Sequence, residues 1–154
     1  MTVVRLPEDQ WFQVVAHAPL VSIDLIVEDA EGQVLLGLRR NRPAQGSWFV
    51  PGGVIRKGET LDAAFSRIAR DELGLLLHRR DATLLGVYEH FYDDNFLETP
   101  GIGTHYVVQA YRIRVTTLPE QAADTQHGAL RAARPAELLA DRTVHPNTQA
   151  YFQA

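Results

Sequence analysis

The sequence predicts one domain of the α/β (α+β) class, and three observations predict it. Two short strand-like runs open the chain after residue 19, joined by a glycine-containing turn. One amphipathic helical stretch lies near the middle, and strand-like runs follow it. Two short proline-opened segments then close the chain. Strands, a helix, strands and terminal helices in that order fit a sheet covered by helices.

Each element has its own reason. Leu20 to Val27 (LVSIDLIV) and Gln33 to Arg39 (QVLLGLR) are rich in β-branched and aliphatic residues, and Asp29-Ala30-Glu31-Gly32 between them supplies the turn of a hairpin. Asn41 to Ser47 (NRPAQGS) is a loop by its Pro, Gly and Asn content, and Trp48-Phe49-Val50 is a short apolar run stopped by Pro51-Gly52-Gly53. Thr60 to Leu73 reads as a helix, with Thr60 as N-cap, Asp62 in the first turn and Gly74 just past the end. Thr83 to His90 and Tyr106 to Val115 read as strands, and Pro135 to Ala140 and Pro146 to Phe152 as helices opened by proline.

Composition bounds the function. With 154 residues, 45% of them hydrophobic, residues 1–154 are read as one domain with a core that needs no staples. The absence of cysteine excludes disulfides, thiolate metal sites and a cysteine nucleophile, and it fits a cytoplasmic location. The N-terminal stretch has no basic segment followed by a long apolar run, so neither a signal peptide nor a membrane partner is expected. A net charge of −4 disfavours a nucleic-acid partner, which would need lysines and arginines to neutralise phosphates. Lys57 is the only lysine, and the arginines that supply the other positive charges suit forked recognition of phosphate.

The informative segment runs from Gly52 to Leu75, GGVIRKGETLDAAFSRIARDELGL. Leu61, Ala64, Phe65 and Ile68 share one helical stripe, and the next turn of that stripe lands on Glu72. A carboxylate on the axis of an apolar face is costly unless it is paired or holds a cation. Arg67 and Asp71 flank the stripe four residues apart, Glu59 precedes the helix, and a Gly-Gly turn lets backbone approach a ligand. Hard divalent cations take oxygen ligands, and magnesium commonly shares its shell with substrate phosphate. The segment therefore reads as a site for a metal and a pyrophosphate, with a solvated Arg67–Asp71 pair as the plainer alternative.

Gly53, five residues, Glu59, seven residues, Arg67, then Asp71-Glu72-Leu73-Gly74-Leu75 resembles the signature of the Nudix hydrolases. The resemblance implies an α/β/α sandwich with a mixed sheet and a loop-helix-loop motif, and hydrolysis of a nucleoside diphosphate linked to another group. Two positions depart from the signature: Ile68 stands where it has a glutamate, and Asp71 replaces the first of its paired glutamates. The GDP-mannose mannosyl hydrolase branch lacks that glutamate too. PLVSIDLIVED, NRPAQGSWFVPGG, ETLDAAF, HFYDDNF, THYVV and Gln126-His127 are similar to that branch, over residues 19 to 152.

That likeness implies cleavage of carbon–oxygen at sugar C1 with inversion, releasing GDP. It implies one magnesium per site, replaceable by manganese, on Gly52, Glu72 and Gln126. It implies His127 as general base, Arg39 and Arg67 as stabilisers of the departing diphosphate, and Asp24, His90 and Tyr106 as substrate contacts. His90 and His105 are the rivals of His127 as base, and they fit substrate contact and strand packing better. Val54 stands where the branch often has an arginine, and Arg56, on the same side two residues on, is the expected substitute. For Asp71, a pair with Arg67 is expected rather than a second metal. The assembly implied is a homodimer. The competing expectations are a conventional Nudix pyrophosphohydrolase that attacks phosphorus, and a Nudix fold kept only to bind ligand.

Overall fold

The computed structural model describes residue 3, residues 5–120 and residues 127–153. Its sheet runs through five strands before branching: β1 (Leu20–Glu28), β2 (Val34–Arg39), β3 (Trp48–Phe49), β4 (Gly52–Val54), β5 (Thr83–Tyr92), β6 (Thr104–Arg114) and β7 (His127–Ala133). The order is β3-β2-β1-β6-β5, with β4 on β1 and β7 on β2. Only β1 and β6 pair in parallel among these neighbours, so the sheet is mixed.

Two apolar clusters lie on opposite faces. Ile23, Leu25 and Val27 pack with Phe65 and Ile68 of α2 (Leu61–Leu73). Ile26, Leu36 and Val34 pack with Leu138 of α3 (Pro135–Ala140), Val144 and Tyr151. Each face of β1 is thus buried, which explains why Leu25-Ile26-Val27 is apolar on both faces rather than alternating. The fold is the expected Nudix-type mixed sheet between helices.

Local chemistry fixes the elements. Asp29 Oδ1 accepts from the amides of Glu31 and Gln33, closing the first hairpin, and Gly32 takes a φ of 80° there. Thr60 Oγ1 caps α2 by accepting from Ala63 N, and Gly74 ends it at a φ of 67°. The last expected helix splits into α4 (Pro146–Gln149) and a 3-10 turn at Ala150–Phe152.

Four elements were not foreseen, one of them the short 3-10 turn at Arg79–Asp81. The helix α1 (Glu8–His17) carries two adjacent valines and begins after Pro7 without a side-chain cap, so its signal is weak. The three-residue β4 hides inside a glycine turn, and β7 follows a stretch with no strong apolar period. No helix of the described residues is long and apolar enough to cross a membrane.

Candidate active site

The site begins where β1 changes partner. Ser22, Ile23 and Asp24 pair with β4, whereas Glu28 pairs with Val34 of β2. Between these points Leu25 N donates to Pro51 O. The strands on that side splay, and a cavity of about 1490 Å³ opens over Asp24. Its walls include Asp24, Arg39, Gly52, Arg56, Arg67, Asp71, Glu72, His90 and Tyr106. Trp11 of α1 and Phe96 line it as well. Eight of the expected site residues therefore meet in one concavity.

The Gly-Gly turn is dictated by contact. A Cβ on Gly52 would collide with Asp24 Oδ1 and lie 2.6 Å from the Ile23 carbonyl. One on Gly53 would lie 3.0 Å from Ile68 Cγ1. Only backbone fits at Gly52, so the chain there enters the cavity wall directly. Ile68 itself is 1% exposed and belongs to the core beneath α2.

Glu72 sits one turn after Ile68, half-buried and in the cavity wall. This is the geometry that the helical stripe implied. Arg67 works differently. Its Nε donates to Glu59 Oε2 at 2.6 Å, and its Nη2 donates to Glu59 Oε1 and the Val54 carbonyl, each at 2.8 Å. Arg56 N also donates to Glu59 Oε1, at 2.7 Å. This fork bolts α2 to the strand and loop before it, and it holds the Glu59 carboxyl below its ordinary pKa. Asp71 Oδ2 stands 3.9 Å from Arg67 Nη1, and its Oδ1 accepts from Arg70 Nε at 3.1 Å, so the expected Arg67–Asp71 pair is present but long.

Glu59 keeps only 4% of its side chain exposed, so removing its partner strands a buried charge. Arg67→Ala is expected to lower stability by about 3 kcal/mol. Arg67→Lys, which cannot form the fork, recovers only part of it. Urea unfolding of the three proteins measures both steps.

Arg39 ends β2. Its Nε donates to Pro43 O at 3.0 Å, and its guanidinium lies 5.9 Å from the Phe49 ring centroid. Its charge opposes the upward push of burial on Asp24 and Tyr106. Asp24 is enclosed by protein except toward the cavity, and that burial raises its pKa to about 7. His90, 6% exposed, is pushed down to about 4 by burial and by His145 nearby, so it stays neutral.

The sequence did not single out the C-terminal segment that backs this wall. Tyr151 donates to Asp24 Oδ2 at 2.6 Å, and its oxygen lies 3.3 Å from His90 Nε2. Asn147 Nδ2 donates to Tyr92 Oη at 3.1 Å, and His145 stacks on Phe49 at 4.6 Å between centroids. The only signal was a cluster of polar and aromatic residues in the final turns, whose partners lie far away in the chain. Gln126 lies outside the described residues. The backbone of His127 opens β7 opposite Arg39, and its side chain lies outside them as well. His105 stacks on Phe91, at 4.3 Å between centroids, in the strand-packing role expected for it.

Residues 18–153 match the model of the NUDIX domain. The low-salt glycan biosynthesis protein Agl8 of Haloferax volcanii is 42% identical over 156 positions, covering 97% of this chain and 90% of that protein. The ADP-ribose pyrophosphatase of Methanocaldococcus jannaschii is 39% identical over 70 residues, 46% of this chain and 40% of that one. The solved MutT NUDIX hydrolase from Burkholderia pseudomallei superposes with a TM-score of 0.69 at 25% identity, covering 88% of this chain and 97% of that chain. With the signature helix, the glycine turn and the cavity over Glu72 in one frame, the chain belongs to the Nudix hydrolase family.

Proposed function

We propose that the chain hydrolyses a nucleoside-diphosphate sugar, GDP-mannose first among candidates, by breaking carbon–oxygen at sugar C1 with inversion, to give GDP and the free sugar. The observation that carries this reading is Ile68. Where the family signature has a glutamate, this chain buries an aliphatic side chain against Gly53. A conventional multi-metal centre thereby lacks a ligand. The kinship with a glycan biosynthesis protein supports a sugar-linked substrate.

Nudix hydrolases generally use divalent metals, and the donors here fit magnesium. Among the described residues no three His, Asp or Glu side chains group as a ready cage. One carboxylate, from Glu72, and the carbonyl of Gly52 share the wall where a diphosphate would supply further oxygens. Gln126 is proposed as the third ligand. Magnesium, or manganese in its place, supplies charge neutralisation that makes the diphosphate a better leaving group.

The chain's own residues do the rest in this reading. Arg39 and Arg67 place fixed positive charge beside the diphosphate, Tyr106 donates to it, and Arg56 adds charge at the mouth. Asp24 and His90 hold the sugar hydroxyls. His127 takes the proton of the attacking water.

Hydrolysis in oxygen-18 water tests the reading. Label is expected in the free sugar. Label in a phosphate product would instead establish attack on phosphorus, the alternative that the similarity to an ADP-ribose pyrophosphatase favours. Binding with magnesium but no turnover would establish a ligand-binding module.

A further inference from the structure

Tyr151 stands behind the cavity wall, 3% exposed, yet its hydroxyl joins two groups of that wall, Asp24 and His90. Its ring is fixed edge-on by Tyr88, 4.7 Å between centroids at 80°. The 3-10 turn that carries it is fixed as well. Thr148 Oγ1 accepts from Val50 N at 3.2 Å, and Gln149 Nε2 donates to the Leu138 and Asp141 carbonyls. The hydroxyl is therefore held in place by the fold rather than by the groups it contacts.

Its single hydrogen sets a direction. An ionised carboxylate only accepts, so with Asp24 ionised the Tyr151 hydrogen goes to Asp24 Oδ2. The tyrosine oxygen is then left to accept, and the His90 nitrogen facing it must carry a hydrogen. A neutral imidazole with hydrogen on Nε2 has Nδ1 as an acceptor. Asp24 and His90 both line the cavity, so with Asp24 ionised this wall carries two groups able to accept from hydroxyls.

We propose that Tyr151 is a positioning residue that sets substrate specificity: through its one hydroxyl it locks Asp24 and His90 into a paired acceptor floor that reads the hydroxyl pattern of the sugar. The proposal rests on the reading that the sugar binds at Asp24. A sugar that directs two hydroxyl hydrogens at this floor satisfies both acceptors. An epimer with one hydroxyl turned away leaves a buried acceptor unpaired, which is the kind of mismatch that discriminates strongly.

The test uses Tyr151→Phe, Asp24→Asn and the double variant in the full chain with magnesium. GDP-mannose turnover and GDP binding by calorimetry are both measured. Tyr151→Phe keeps the ring and removes only the hydroxyl. It is expected to lower kcat/KM for GDP-mannose about 10- to 100-fold, the effect of losing a buried hydrogen bond to a charged group. It is expected to leave the Kd for GDP, which has no sugar, within about twofold. Preference for GDP-mannose over GDP-glucose should shrink in parallel. In the Asp24→Asn background the same change should cost clearly less than in the wild type, because the hydroxyl then serves an amide and His90 rather than a carboxylate and His90.

A full-sized additional loss in the double variant, or a Tyr151→Phe enzyme that turns over like wild type, overturns the proposal. So does parallel loss of GDP binding, which assigns the hydroxyl to the fold as a whole. If Asp24→Asn alone leaves GDP-mannose turnover unchanged, the sugar reading falls and the proposal with it. That outcome is distinct from a damaged Asp24→Asn enzyme beside a silent Tyr151→Phe.

Discussion

Glu72→Gln is expected to lower kcat by about a thousandfold while the protein stays folded. Glutamine keeps the size of the side chain and an accepting oxygen, so α2 and its packing on Ile23 and Leu25 should be undisturbed. What disappears is negative charge at one point in the cavity wall. The effect is large because the charge is concentrated. Ile68 has removed one usual acid from this helix face to the core, and Glu59 is committed to the fork with Arg67. Asp71 remains, but it is turned partly to Arg70 and solvent. On the proposed reading Glu72 is the acid of this helix that holds the divalent ion. Steady-state rates across a magnesium titration read the outcome. The apparent magnesium requirement should rise together with the fall in kcat. A variant within fivefold of wild type at ordinary magnesium would place the metal elsewhere.

The same helix shows why part of this site was legible in the sequence. Its residues are close in the chain, so a period of 3.6 places them in space: Ala64, Phe65 and Ile68 go under, and Glu72 emerges at the cavity. The Gly-Gly turn and Thr60 cap were readable for the same reason, each being a local demand on backbone. The back wall was not legible. Tyr151 meets Asp24 across 127 positions of chain, and that contact exists only because β1 splays at Asp24 and the C-terminal turn fills the gap. Arg67 was legible only by half. The spacing named its possible partners, but the burial of Glu59 decided that the fork goes to Glu59, with Asp71 held at arm's length.

Asp24→Asn should make the metal-free protein more stable and the enzyme at least a hundredfold worse. Burial dominates the environment of this carboxyl and raises its pKa from 3.8 to about 7, against the opposing pull of Tyr151 and Arg39. Between those two values the folded chain holds a proton that the unfolded chain has released. The unfolded state then binds fewer protons, so stability falls as pH rises through that window and levels off above about 7. The whole window is worth roughly 4 kcal/mol at most, at 1.36 kcal/mol per pKa unit. Asparagine has no such penalty, and its carbonyl oxygen can still accept from Tyr151. Thermal unfolding should therefore show the variant ahead by several degrees at pH 8, with the gap closing toward pH 4. On the proposed reading the natural residue persists at a cost in stability because it accepts from substrate hydroxyls, whereas the amide would offer them a donor in its place. A variant that is less stable at pH 8 would mean that Asp24 is held by more than its tyrosine and arginine. One that is more stable and equally active would strip this carboxylate of its role in holding the substrate.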